Sequence, residues 1–193
     1  RRQRQMCIRD RGTADYAAQQ ADITDGRLGR NHVYFLPYLM GERSPINDTN
    51  ARGTFIGMTM DAARSDLTQA VLEGVAFAIR DSFEVAKSLG VSIPRSRLCG
   101  GGAKSPLWRK IFANVLNIPL DLPQTEQGPG YGGAMLAMVA CGAYPSVAAA
   151  AEALVRVAET VEPEAELAAR YEERYQTFRQ IYPSVKTLFQ TLH

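Results

Sequence analysis

Residues 65–89 constrain this chain more than any other stretch. Leu67, Val71, Val75, Ile79 and Phe83 recur at nearly every fourth position, the repeat that stacks side chains on one helical face. Ser65 can cap the start and Gly90 can supply a left-handed stop. Ala70, Gly74 and Ala78 lie beside the stripe and are small enough for another element to approach closely. A helix this long with one apolar face needs a packed layer against it.

The flanking segments supply candidates for that layer. Val33-Tyr34-Phe35-Leu36, ended by Pro37, is β-branched, aromatic and continuously apolar, which predicts a strand buried on both faces. Residues 41–50 (GERSPINDTN) are loop chemistry throughout, and Gly53 to Thr59 reads as a second extended piece. Arg97-Leu98-Cys99 leads into Gly100-Gly101-Gly102-Ala103. Ser105 at the N-cap and Pro106 at the first helical position then open a helix through Leu107, Ile111 and Val115 to about Asn117. Pro119 to Leu122 is a short strand, and Gly128-Pro129 starts a small-residue helix ending near Gly142. An Ala-rich helix follows from about Ser146 to Val157. The last helix runs from about Glu164 towards Phe189, with Leu167, Tyr171, Tyr175 and Phe178 inward and a kink expected at Pro183. Alternating strands and helices of these lengths predict an α/β fold.

Composition removes several classes of function. A chain of 193 residues suits one domain, and it has no apolar run long enough for a membrane span. Cys7, Cys99 and Cys141 are odd in number and scattered, as in reduced thiols of a cytosolic protein. His32 and His193 sit in no nucleophile or metal motif. The formal charge of +2 is uneven, because residues 1–11 (RRQRQMCIRDR) hold five Arg and one Asp and the remainder is net −2. A basic arm of this kind can bind nucleic acid or an anionic membrane. The string also resembles the conceptual translation of a sequencing-library adapter, and this is the preferred reading: residues 1–11 are set apart as an artefact, and 12–193 are taken as the domain.

Few residues carry chemistry on their own. Glycines between a strand and a helix start let the backbone approach a phosphate or nucleotide, while the helix terminus presents free N–H groups. Gly100 to Ser105 fits that recipe, and it fits a plain strand-to-helix turn equally well. It is not a P-loop, which would need Gly in place of Leu98 and Ala103, nor a Rossmann loop, which would need Gly in place of Ser105. Gly128, Gly130 and Gly133 match G-x-G-x-x-G, but Pro129 and the polar residues before them favour a helix packed closely through its glycines. Glu42-Arg43 is expected as an ion pair shaping its loop. Asp61, Asp66 and Glu73 are expected to be solvated or to favour a helix N-terminus, and Tyr171 and Tyr175 to be core.

Five motifs in order resemble the FGGY carbohydrate kinases, and their xylulose-phosphorylating branch in particular. They are Phe35-Leu36-Pro37-Tyr38-Leu39 with Gly41-Glu42-Arg43-Ser44-Pro45; Asn50-Ala51-Arg52-Gly53; Gly53-x-Phe55-x-Gly57-Met58 followed by Asp66-Leu67-x-x-Ala70-Val71-Leu72-Glu73; Gly100 to Arg109; and Glu126 to Ala134. The resemblance implies an actin-like ATPase, ribonuclease-H-like C-terminal domain, incomplete at its N-terminus. ATP would lie on Gly100, Gly101, Gly102 and Ala103, with Ser105 capping the helix below, and a side chain at Gly102 would block the nucleotide. It further implies phosphoryl transfer from ATP, with Mg²⁺, to a small sugar such as xylulose, in a cytoplasmic homodimer with no nucleic acid or membrane partner. Gluconate or another polyol, or a non-catalytic nucleotide-binding module, are the alternatives. In the family the first phosphate loop and the catalytic Asp belong to an N-terminal domain, so no catalytic or metal-binding residue is assigned within this sequence. The chain by itself is expected to be inactive.

Overall fold

The computed structural model describes residues 15–125 and 128–192. The leader assigned to residues 1–11, Cys7, Glu126 and His193 lie outside them. In chain order the elements are α1 (Tyr16–Gln20), a 3₁₀ turn (Asp25–Arg27), β1 (Tyr34–Leu36), β2 (Thr54–Ile56) and α2 (Arg64–Ser88). Then come β3 (Ser96–Arg97), a second 3₁₀ turn (Gly101–Lys104), α3 (Pro106–Leu116), β4 (Leu120–Pro123), α4 (Gly128–Ala140), α5 (Val147–Leu154), β5 (Val157–Val161) and α6 (Ala165–Phe189). β1 and β2 pair antiparallel, with Phe35 opposite Phe55. In the second sheet β4 is central, parallel to β3 and antiparallel to β5.

α2 organises the core, though not along the stripe read from the sequence. Ile79 is 40% exposed, and Leu67, Val71, Val75 and Phe83 are only partly buried. The buried face carries Gln69, Ala70, Leu72, Glu73, Ala76, Phe77 and Arg80. Glu73, expected from sequence to be solvated or to favour a helix N-terminus, is instead fully enclosed in the middle of α2. Its Oε1 accepts from Gln69 Nε2 at 2.7 Å and from the Tyr171 hydroxyl at 3.1 Å, and its Oε2 accepts from Arg174 at 2.8 Å. Arg174 also donates to the Val33 carbonyl and lies over the Tyr34 ring, so one buried ion pair joins α2, α6 and β1. Burial pushes the Glu73 carboxyl up while the Arg174 charge opposes it. A periodicity count of apolar residues cannot see a polar face whose partners lie about a hundred positions away.

The small residues of α2 do what their size predicted. β1 crosses at Gly74, where a Cβ would lie 2.1 Å from the Phe35 carbonyl oxygen. One turn further along the same helix, Phe77 packs on Tyr171, Tyr175 and Phe178 of α6, which confirms those aromatics as core. The helix is capped two residues earlier than expected: Ala63 is the N-cap, and the Asp66 carboxylate takes the Ala63 N–H at 2.8 Å. Ser65 instead accepts from Arg27, and Gly90 supplies the left-handed stop at φ +82°.

Three further expectations need correction. β5 replaces the end of the Ala-rich helix, because Val157-Ala-Glu-Thr-Val pairs with β4 and Asp121 Oδ1 accepts from the Thr160 hydroxyl at 2.7 Å. In the loop after β1, the Glu42 carboxylate accepts from the Ser44 N–H at 3.1 Å, which shapes the turn without needing Arg43. Finally, α4 does not pack through its glycines. Added Cβ atoms at Gly130, Gly132 and Gly133 meet nothing within 4 Å, and no α4 residue is buried.

Candidate nucleotide-binding turn

The glycine run sits at the carboxyl end of β3, where parallel strands of α/β sheets present their ligands. Hydrogen bonds Leu98 N–H to Asp121 O (3.0 Å) and Ser96 N–H to Pro119 O (3.1 Å) hold β3 on β4 up to that point. Gly100 then reverses the chain at φ +94°, a conformation that a Cβ would strain. The Ala103 N–H to Gly100 O and Ser105 N–H to Gly102 O bonds close one tight turn. α3 starts directly from it, with the Ser105 hydroxyl accepting the Trp108 N–H at 3.1 Å and Pro106 at the first position.

The five residues singled out in the sequence lie together in this turn, and their surroundings differ. Gly100 and Gly101 are exposed, and a Cβ on Gly101 would project into open space. Gly102 is closed by the protein itself: a Cβ there would lie 2.2 Å from Cζ3 of Trp108. Substituting Gly102 therefore disturbs the fold before it meets any ligand, which leaves Gly101 as the position for testing nucleotide approach. Ala103 is buried, and its carbonyl accepts from Arg109 Nε. Ser105 donates to Gln20 Oε1 at 2.5 Å, tying the turn to α1. Trp108 and Arg109 belong to the same motif, and their role in supporting the turn is visible only in the structure.

A groove of about 190 Å³ opens beside the turn, lined by Leu98, Cys99, Gly100, Ala103, Arg109 and Glu159 among others. Its charges are matched, since Arg109 pairs with Glu159 at 3.0 Å. A second hollow, at the start of α2, is lined by Asp15, Ala18, Gln19, Asp22, Arg64 and Ser65 and holds two carboxylates against one guanidinium. At the start of α3 Pro106 has no N–H and Ser105 already takes that of Trp108, so the turn offers a ligand its exposed Gly100–Gly101 backbone, not a row of free helix N–H groups. It can therefore seat a flat, hydrogen-bonding ligand. Among the described residues, no group of three or more His, Cys, Asp or Glu is arranged to hold a metal ion.

A profile of the FGGY family of carbohydrate kinases, C-terminal domain, matches residues 2–141. This chain belongs to the FGGY family. The xylulose kinase of Escherichia coli (strain K12) is 36% identical over 173 residues, 89% of this chain and 34% of that protein. A crystal structure of a xyloylose kinase from Brucella ovis superposes with a TM-score of 0.81 at 37% identity, covering 94% of this chain and 37% of that one. Gluconate kinase from Lactobacillus acidophilus aligns with a TM-score of 0.78 at 26% identity, over 93% of this chain and 36% of that one. The α/β architecture is accordingly that of the C-terminal domain of the FGGY kinases, which share the actin-like ATPase fold. The chain spans about a third of the length of the curated relatives it matches. No helix among the described residues is long and apolar enough to cross a membrane.

Proposed function

We propose that this chain forms the nucleotide-binding wall of an ATP-dependent sugar kinase, with xylulose as the acceptor and xylulose 5-phosphate as the product. The observation that carries the reading is the open space above Gly101, at a glycine turn on the carboxyl end of β3. ATP supplies the transferred phosphoryl group and Mg²⁺ accompanies its phosphates. Gly100 and Gly101 give the close backbone approach, Gly102 seats the nucleotide turn on Trp108, Ala103 shapes the floor, and Ser105 fixes the start of α3 under the ligand. Positioning supplies most of the catalysis in phosphoryl transfer, so a wall that places the nucleotide is a catalytic contribution without a base of its own.

The xylulose reading is supported by the names of the relatives, and gluconate by one structural neighbour of lower identity. Activity in the cytoplasm as a homodimer belongs to the same reading. So does the expectation that the 193-residue chain binds nucleotide without turning it over. Calorimetric titration with ATP tests the turn. Wild type should bind, and Gly101→Val should weaken binding at least about tenfold at unchanged thermal stability, since the added side chain meets ligand and not protein. Equal affinity in the two proteins would remove the assignment. ADP release on xylulose, on gluconate and on neither, measured on the product of the locus encoding this chain, separates the sugar kinases from a non-catalytic module.

A further inference from the structure

We infer that Trp108 is the positioning residue of the nucleotide turn, a spacer that sets the height of Gly101–Ala103 above α2. The inference rests on the reading of residues 100–105 as a nucleotide site and adds a residue to it. Trp108 is the one tryptophan in the sequence, and its indole meets different elements along different edges. Its six-membered ring faces the turn, with Cζ3, Cε3 and Cη2 at 2.2, 2.6 and 3.2 Å from the position a Gly102 Cβ would take. Its Nε1–H donates to the carbonyl of Leu72, a buried residue of α2, at 3.1 Å. The same residue's backbone N–H donates to Ser105 Oγ, and its ring stacks at a tilt on Phe112, 5.4 Å between centroids.

These contacts make the indole a rigid strut. One end is pinned to α2 by a directional hydrogen bond, and the other carries a turn that cannot sink, because Gly102 already rests on the ring. Arg109 holds the far side of the turn through the Ala103 carbonyl, and its pairing with Glu159 ties that end to β5. The turn is therefore placed by the adjacent Trp108 and Arg109 at the start of α3, and only the tryptophan spans the gap to α2. Phenylalanine keeps a six-membered ring but lacks the N–H, so it can support the turn or sit against α2 without being fixed to both. A purine nucleotide is the ligand class that such a placement serves: a flat base or sugar lying on exposed Gly101 senses a shift of a few tenths of an ångström as lost contact.

The experiment uses the full chain and ATP as the probe. Trp108 emission, excited selectively at the red edge of the absorption band to exclude the eight tyrosines, should change saturably with ATP, with a midpoint equal to the calorimetric one, because the sole tryptophan touches the turn. Trp108→Phe should weaken calorimetric ATP binding about three- to tenfold, the worth of one lost hydrogen bond, with far-UV circular dichroism unchanged. Calorimetric binding in wild type with no change in Trp108 emission would overturn the inference, even if the variant failed to fold. So would a folded Trp108→Phe that binds ATP as wild type does, and in both cases the nucleotide reading would stand if Gly101→Val still lost affinity. No calorimetric binding by wild type would overturn the inference and the nucleotide reading together.

Discussion

Replacing Gly74 by alanine sets two well-defined effects against each other. Alanine in a helix interior is favoured over glycine by about 1 kcal/mol. Against this, the new Cβ would lie 2.1 Å from the Phe35 carbonyl oxygen and 3.1 Å from its carbon, and both are backbone atoms of β1 that no rotamer change can move. An ordinary carbon–oxygen approach is about 3.3 Å, so β1 and α2 must part by roughly 1 Å. Overpacking of this kind costs about 1–3 kcal/mol. Parting the elements also stretches the Arg174 bond to the Val33 carbonyl, already 3.2 Å. With the weakened Arg174 bond added to the overpacking term the clash should win, by a net loss of about 1–2 kcal/mol. In urea titrations monitored by circular dichroism, that loss lowers the midpoint by about 1 M at an ordinary slope. Gly132→Ala is the internal control: on α4 the same Cβ meets nothing within 4 Å, so only the helical preference acts and the midpoint should rise. A Gly74→Ala midpoint equal to or above wild type would refute the claim that β1 and α2 are in backbone contact there.

Glu73→Ala should destabilise by about 3–5 kcal/mol, because it strands the buried Arg174 charge; the double variant Glu73→Leu with Arg174→Met should lose much less than the summed single changes, and additivity in that cycle would contradict the pairing. Asp81 gives a pH test. Burial pushes its carboxyl above the usual value, and the 2.7 Å bond from the Tyr175 hydroxyl opposes this only in part. Because the folded value is the higher one, its contribution is full below the unfolded value and declines as pH rises through the folded value. Asp81→Asn should therefore gain melting temperature relative to wild type as pH is raised across that window, and a pH-independent difference would sink the assignment.

Several elements were legible in the residues because their signals are local. Ser105 and Pro106 start α3, Gly90 stops α2, and Tyr171, Tyr175 and Phe178 line α6 as their spacing predicts. The glycine run fell at a strand end, where its composition placed it. What escaped depends on distant partners. β5 exists because β4 offers it an edge, and its own five residues are mostly exposed. Gln69, Glu73 and Arg80 are buried because Tyr171, Glu172, Arg174 and the carbonyl oxygens of Arg27 and Val115 meet them from elsewhere in the chain. At Gly102 the motif was recognisable, but the reason for glycine was not, since the obstructing ring comes from six residues downstream.

The placement of α6 has a consequence for how the chain is made. Bonds from Tyr171, Arg174 and Tyr175 close the core over sequence separations of 94 to 141 residues. On a ribosome adding roughly 5–20 residues per second, several seconds pass between completion of α2 and the emergence of α6. Throughout that interval Phe77 and the carboxylate of Glu73 have no α6 to cover them. Trigger-type chaperones that bind exposed aromatic segments would find their substrate there, and synonymous codons that slow translation between Ser88 and Ala165 should lower the soluble yield of an otherwise identical protein.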